Sequence, residues 1–172
     1  MKVLQVVGYK NAGKTTLVCE VVRMLSAQGL RVGTVKHDAH EADPEPAGAD
    51  TRGHREAGAF MTGMTSASRT SWVREQPTAL DDMLGSLREA GAQAAIVEGF
   101  KSASYPKLVL LRGSEDSDLL HLSAIVAIAS RNPQTVGSQP QPPIISATIP
   151  QFHTNGRHFG PLLEFVQDWW AL

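Results

Sequence analysis

The stretch GYKNAGKT at residues 8–15 decides the fold predicted for this chain. It follows a short apolar run, Val3 to Val7, and precedes apolar residues at helical spacing from Leu17 to Leu25. The spacing G-x-x-x-x-G-K-[ST] between a strand and a helix is typical of a phosphate-binding loop. A glycine turn beside a surface lysine is the alternative, and the strand and helix around the loop disfavour it.

Each residue type in the loop has a physical reason. Gly8 and Gly13 allow backbone conformations in which successive N–H groups converge on a β-phosphate, and the following helix directs its positive end there. Lys14 then reaches the β- and γ-phosphates, and the Thr15 hydroxyl is a ligand for Mg²⁺. The residues of this stretch predicted to bind nucleotide are Gly8, Asn11, Ala12, Gly13, Lys14, Thr15 and Thr16.

Composition narrows the class of protein. A length of 172 residues suits one domain, so residues 1–172 are predicted to form a single nucleotide-binding domain. The net charge of −1 does not favour nucleic-acid binding, and no stretch approaches the ~20 apolar residues of a membrane span. Cys19 is the only cysteine, which excludes an intrachain disulfide and fits a cytoplasmic protein. We expect its side chain on the buried face of the first helix.

Strands and helices alternate along the chain. The predicted strands are 3–7, 31–35, 94–97, 107–111, 124–129 and a short one at 144–145. The predicted helices begin near residue 14, run from 78 to about 90, and cover the aromatic stripe at 159–170. Residues 59–73 indicate a strand or hairpin, whereas 38–58 show no regular period. This pattern predicts the α/β class: a single P-loop NTPase domain with a mostly parallel, twisted sheet and helices on both faces.

The segment KHDAH at residues 36–40 ends the second predicted strand. Carboxyl ends of parallel strands share one rim of the sheet, so we expect this segment beside the phosphate-binding loop. Asp38 could bind Mg²⁺ through a water or orient an attacking water, while Lys36, His37 and His40 could meet anionic groups. Binding of zinc or nickel by the two histidines, and a solvated strand end without function, remain open.

Two further segments carry possible chemistry. Arg52, His54 and Arg55 concentrate donors suited to phosphate, with a solvated surface turn as the equal alternative. Glu98 ends an apolar strand, where a nucleotide-binding fold places the acid that holds the Mg²⁺ water shell. Gly99 can bring its N–H close to a γ-phosphate, and the alternative for Glu98 is a surface carboxylate at a strand end.

In combination these segments resemble the MobB family, the molybdopterin-guanine dinucleotide biosynthesis proteins B, which belong to the P-loop GTPases. The resemblance is carried by VVGYKNAGKTTL at 6–17, TVKHDAH at 34–40, Asp50 with HREAGA at 54–59, and IVEGFK at 96–101. These blocks cover the first hundred residues in the family's order. The last seventy residues match only in pattern.

The resemblance implies a cytoplasmic, homodimeric GTP-binding adaptor. Its implied partner is a separate molybdenum cofactor guanylyltransferase, which joins GMP from GTP to molybdopterin and so forms molybdopterin guanine dinucleotide. Family members resemble slow GTPases at best. The implied ligands are GTP, Mg²⁺ and molybdopterin or the molybdenum cofactor.

The resemblance also implies roles for individual residues. The implied catalytic residues are Lys14, Asp38 and Glu98, and the implied metal ligands are Thr15, Glu98 and Asp38. The residues outside the loop implied to meet nucleotide or the pterin phosphate are Lys36, His37, His40, His54, Arg55, Gly99 and Lys101.

Two departures from the family pattern stand out. Thr51-Arg52-Gly53-His54 replaces the common Ser-Tyr-Arg-His, so Arg52 or Arg55 would have to take over the contact of the missing arginine. The Asn-Lys-x-Asp signature that reads guanine in many GTPases is absent, and SRNP at 130–133 is only a positional candidate.

A small P-loop kinase and a metal-delivery GTPase that uses His37 and His40 are the alternative functions.

Overall fold

The computed structural model describes residues 1–38, 43–131, 149–155 and 158–172 of the chain. The chain divides into two compact units, one made of Met1–His37 with Met83–Leu172 and the other of Asp38–Asp82. The organisation of 1–172 as a single domain stays a prediction. In the part of the chain that the structure describes, no helix is long and apolar enough to cross a membrane.

The described elements include eight strands and four α-helices. The strands are β1 (Lys2–Gly8), β2 (Val32–Lys36), β3 (Met61–Thr65), β4 (Thr70–Arg74), β5 (Ala94–Glu98), β6 (Lys107–Leu111), β7 (Ile125–Ser130) and β8 (Gln151–His153). The helices are α1 (Lys14–Ala27), α2 (Asp50–Glu56), α3 (Leu80–Glu89) and α4 (Gly160–Ala171), with a 3-10 helix at Ser114–His121.

Six strands of the first unit form one parallel sheet in the order β2-β5-β1-β6-β7-β8. All five residues of β5 and of β6 are buried, as expected for continuous apolar runs in parallel strands covered on both faces. The predicted α/β class with a mostly parallel sheet and flanking helices is confirmed.

The main core lies between the sheet and two helices. Leu17, Val21 and Leu25 of α1 pack with residues of β1 and with Leu162 and Val166 of α4. The apolar spacing within α1 and α4 therefore places one face of each helix in the core. The aromatic stripe of α4 suits either core packing or a contact with a partner, and its two tryptophans are half-buried against this core.

Several local expectations are wrong. Cys19 is exposed, because the buried face of α1 is already formed by residues at other positions of the helical period. The segment predicted to be irregular contains α2, a helix with no buried residue and a glycine at position 53, so it has no apolar period to detect. The 3-10 helix and β8 were not predicted. The predicted strand at 144–145 lies outside the described residues.

The second unit contains a hairpin and a charged cluster. β3 and β4 pair antiparallel, which confirms the hairpin alternative for residues 59–73. The Arg55 guanidinium donates hydrogen bonds to Asp43, Glu45 and Glu75, at 2.9, 2.9 and 2.5 Å. These bonds raise the pKa of Arg55, and the bond to Glu75 makes the largest contribution. They also connect separate stretches of this unit to α2.

Candidate functional site

The loop at residues 8–15 wraps tightly around the start of α1. A Cβ on Gly8 would lie 2.8 Å from the backbone oxygen of Leu110, so only glycine fits without a shift. Asn11 and Gly13 have φ angles of 65° and 98°, and α1 begins directly after Gly13. The N-cap of α1 is Gly13, which has no side chain that could cap the helix, and a helix N-terminus without a side-chain cap suits an anion.

Lys14 lies folded back over this loop. Its Nζ donates to the Tyr9 carbonyl at 2.9 Å, and burial lowers the pKa of the ammonium. Glu98 acts in the opposite direction, whereas Lys101 and Lys36 lower the pKa further. Lys14, Lys36 and Lys101 thus form a cationic rim. Their positive charges repel one another, and an anion bound among them would reduce this repulsion.

Thr15 and Glu98 meet beside the loop. The Thr15 hydroxyl lies 3.0 and 3.1 Å from the two carboxylate oxygens of Glu98 and donates to them, and Glu98 is only 6% exposed. Lys36 Nζ lies 3.6 Å from Glu98 Oε1. The Thr15 hydroxyl and the buried Glu98 carboxylate, next to the loop at 8–15, offer the oxygen ligands that Mg²⁺ prefers, so the residues present fit this ion.

The segment after β5 turns sharply back over the sheet. Gly99 and Phe100 have φ angles of 91° and 52°, and the Gly99 N–H donates to the Val6 carbonyl at 3.0 Å. The N–H predicted to approach a γ-phosphate is therefore already hydrogen-bonded. The Phe100 ring contacts the His37 ring at 4.8 Å between centroids, and Lys101 Nζ lies 3.5 Å from the centre of the Tyr9 ring.

Tyr9 connects the loop with the 3-10 helix. Its hydroxyl donates to Asp118 Oδ2 at 2.5 Å, and this bond raises the pKa of the phenol. Arg112 lies 5.3 Å from the same ring and forms an ion pair with the buried Asp116. The side chain of Tyr9, the second residue of the loop at 8–15, is thus held at both ends, by cations at the ring and by a carboxylate at the hydroxyl.

Gln5 is a site-supporting residue that the sequence analysis missed. It is 0% exposed, and its Nε2 donates to the carbonyls of Gly99 and Phe100 at 3.0 and 2.9 Å. The segment that follows Glu98 is therefore held on the sheet by a side chain from β1. The available signal was a polar residue inside an apolar strand.

Lys107 is the second missed residue, and it pairs with Gln5 in the register of β1 and β6. It is 0% exposed, and its Nζ donates to the carbonyls of Ala103, Tyr105 and Ser123 at 2.7, 3.1 and 2.8 Å. Burial lowers the pKa of this ammonium. Together Gln5 and Lys107 hold both ends of the segment 99–105, which carries Lys101.

A cleft of about 500 Å³ extends from the loop. Its lining residues are Asn11, Gly13, Lys14, Thr15, Thr16, Arg131 and Asn155. Arg131 follows β7 and donates from Nη2 to the Asn11 carbonyl at 2.7 Å. In the sequence, Arg131 was notable only as part of SRNP at 130–133, a candidate by position for contact with the base. Asn155, which lies just after β8, was not predicted as a site residue.

The remaining predicted site residues lie elsewhere. Asp38, His54 and Arg55 belong to the second unit, where Arg52 and His54 line a cleft of about 670 Å³. His40 lies outside the described residues. Within the ranges that the structure describes, no group of three or more His, Cys, Asp or Glu side chains is placed to hold a metal ion. The roles assigned to these residues stay predictions.

Comparison with known proteins identifies the family. Residues 3–131 match the family model described as molybdopterin guanine dinucleotide synthesis protein B. The chain belongs to the MobB family. A MobB relative from Bacillus subtilis (strain 168), a probable molybdopterin-guanine dinucleotide biosynthesis adapter protein, is 31% identical over 150 residues, which make up 86% of this chain and 87% of the relative.

Further MobB proteins support the assignment. The molybdopterin-guanine dinucleotide biosynthesis adapter protein of Escherichia coli (strain K12) is 31% identical over 132 residues, 73% of this chain and 75% of the relative. The crystal structure of Bacillus subtilis MobB matches with a TM-score of 0.77 and 27% identity, covering 98% of this chain and 97% of that one. The crystal structure of a MobB protein homologue from Bacillus stearothermophilus matches with a TM-score of 0.72 and 29% identity, and it also covers 98% of this chain and 97% of that one.

Proposed function

We propose that this protein is a GTP-binding adaptor that assists the guanylyltransferase which attaches GMP to molybdopterin. The observation that carries the proposal is the contact between Thr15 and the buried Glu98 beside the loop at 8–15. Relatives of this chain carry the name of adapter proteins of molybdopterin-guanine dinucleotide biosynthesis, which supports the biological setting.

In this proposal the loop N–H groups and Lys14 hold the β- and γ-phosphates. Thr15 and Glu98 hold Mg²⁺ or its waters, and the ion supplies neutralisation of the phosphate charge. Lys36 and Lys101 add positive charge to the rim, where the triphosphate or the phosphate of molybdopterin is bound. Hydrolysis of GTP is slow and accessory, because the adaptor role requires holding the nucleotide rather than turning it over.

The proposal includes an assembly and a location. The partner is the molybdenum cofactor guanylyltransferase, the protein acts as a homodimer, and both work in the cytoplasm. These points are what the resemblance to the MobB family implies, and the number of protomers is directly measurable by sedimentation of the purified protein.

The test compares Lys14→Ala with Lys10→Ala, an exposed lysine of the same loop. Binding of GTP in the presence of Mg²⁺ is measured by calorimetry, and folding by circular dichroism. We expect Lys14→Ala to remain folded and lose binding by roughly a hundredfold or more, since Lys14 faces the phosphates, while Lys10→Ala binds like the parent chain.

A second step adds each variant to a guanylyltransferase assay with molybdopterin and GTP. Stimulation by the parent chain and by Lys10→Ala, but not by Lys14→Ala, is the expected result. Failure of the parent chain to bind GTP with Mg²⁺, or to contact and affect the transferase, would overturn the proposed function.

A further inference from the structure

We infer that Arg131 reads the base of the bound nucleotide and selects guanine over adenine, with Asn155 lining the same end of the cleft. The inference rests on the proposed function, because it concerns the far end of the same cleft. It supplies a physical basis for guanine preference in a chain without the Asn-Lys-x-Asp signature.

Strand order places these two residues. Glu98 ends β5, which lies on one side of β1, whereas Arg131 and Asn155 follow β7 and β8 on the other side. A nucleotide whose phosphates occupy the loop after β1, with its metal at Glu98, therefore extends its nucleoside toward β7 and β8.

The cleft is continuous in that direction. It runs from Thr15 and Thr16 at the start of α1 to Arg131 and Asn155, and its volume of about 500 Å³ lies within the usual range for small-ligand sites. One cleft thus provides both the phosphate end and a space for the rest of a nucleotide.

Arg131 and Asn155 are both held in place by hydrogen bonds. The Arg131 N–H donates to the Leu111 carbonyl at 3.2 Å, and the Arg131 guanidinium is fixed at 2.7 Å from the Asn11 carbonyl. The Asn155 amide oxygen accepts from the His158 N–H at 2.8 Å, which sets the rotation of that side chain. A prepositioned guanidinium is suited to selectivity, because little conformational freedom is lost on binding.

The chemistry of the guanidinium favours guanine. Arginine carries five N–H donors and no acceptor. Guanine presents two acceptors, O6 and N7, along one edge, whereas adenine presents the N7 acceptor beside the N6 amino donor. Arg131 can satisfy both groups of guanine, but with adenine it sets a donor against a donor. Discrimination of roughly ten- to a hundredfold is expected from one such contact.

The experiment measures the affinity of GDP, IDP and ADP with Mg²⁺ by calorimetry. Arg131→Ala removes the contact, and Arg131→Gln replaces it with an amide that can pair with both N6 and N7 of adenine. Arg23→Ala is the matched control, since Arg23 is an exposed arginine on α1 paired only with Glu20 among the described contacts. Circular dichroism checks that each variant is folded.

We expect the parent chain and Arg23→Ala to bind GDP and IDP alike and ADP more weakly, because IDP keeps O6 and N7. Arg131→Ala should lose roughly ten- to a hundredfold in affinity for GDP and IDP and about threefold or less for ADP. Arg131→Gln should shift the preference toward ADP. Together these results would support the inference.

Other outcomes overturn it in distinguishable ways. An equal loss for all three nucleotides in Arg131→Ala would mean that the guanidinium stacks on the base or touches phosphate without reading it. Parent binding of IDP as weak as ADP would place the reading at the other edge of guanine. If no nucleotide binds the parent chain, the proposed function itself fails; if GDP binds and the variants keep its selectivity, only the inference fails.

Discussion

The environment of Glu98 is formed by residues that are distant from it in sequence. The strand-end position predicted a metal-shell acid, with a surface glutamate as the alternative. The structure buries the carboxylate and joins it to Thr15, 83 positions away in sequence, and to Lys36. Burial excludes the surface alternative, since a carboxylate that is only 6% exposed needs partners within the protein, and the metal role of Glu98 stays a prediction.

Glu98→Gln tests this residue while keeping its shape. We expect GTP binding with Mg²⁺ to weaken roughly tenfold or more, because a neutral amide is a poor ligand for the ion, whereas binding with a chelator present changes little. Calorimetry under both conditions makes the comparison, with the exposed Glu164→Gln as control. A variant that kept the full advantage of Mg²⁺ would contradict the role of Glu98.

At the scale of elements, the apolar runs were predictable and the polar supports were not. β5 and β6 appear in the sequence as short continuous apolar segments, and the structure confirms them as buried parallel strands. Gln5 lies inside such a run and Lys107 at the start of one. Their hydrogen bonds to the segment 99–105 depend on the path of that segment, which the sequence does not reveal. That path is set by two positive φ angles, of which only that of Gly99 has a residue type suggesting it.

Lys107 gives a prediction about pH. In the unfolded chain its pKa is that of an ordinary lysine, and burial lowers it in the fold. Between these two values the unfolded state binds more protons, so the contribution of this group to stability rises as pH increases. We expect the free energy of unfolding of the parent chain to rise with pH across this window, relative to Lys107→Met.

Denaturant unfolding at several pH values between 7 and 10 checks this difference. At pH 7 Lys107→Met should be less stable by about 1–3 kcal/mol, because three backbone carbonyls lose the donor that bonds them to the fold. Lys10→Met, at an exposed position, serves as control. A difference between parent and Lys107→Met that does not vary with pH would show that the ammonium keeps its ordinary pKa.

At the scale of the whole molecule, the two units are stabilised differently. Hydrogen-bonded ion pairs connect stretches of the second unit, whereas a buried apolar core stabilises the first. Arg55 is bonded to Asp43, Glu45 and Glu75, and α2 has no buried residue. Hydrogen bonds from the Glu45 N–H and then from Arg55 lower the pKa of Asp43. The stability from Asp43 is therefore present above the ordinary carboxyl pKa and is lost as pH falls through the lowered value.

Arg55→Met separates this structural role from the predicted contact with phosphate. We expect cleavage within Asp43–Asp82 by a dilute protease to become severalfold faster, because three carboxylates lose their common cation. Arg74→Met, which alters another arginine of the same unit, is the control. Unchanged protease resistance with a large loss of GTP affinity would instead favour direct phosphate binding by Arg55.

The arrangement of the cleft was the least predictable feature of the molecule. Lys14, Thr15 and Glu98 follow from motif and strand-end position, because the rim of a parallel sheet is a known place for ligands. Arg131 and Asn155 come together only through the order of β6, β7 and β8, which local sequence does not specify. The family resemblance predicted guanine, whereas the side chain suited to reading it required the folded chain.

The exposed thiol of Cys19 has a practical consequence. It is the only cysteine of the chain, and it stands one helical turn after Thr15, so both lie on the same side of α1. A fluorophore attached there by maleimide chemistry would label every molecule once, one helical turn from Thr15, which lines the cleft. Ligand arrival at this helix can thus be followed as a change in emission, without a second labelling site to correct for.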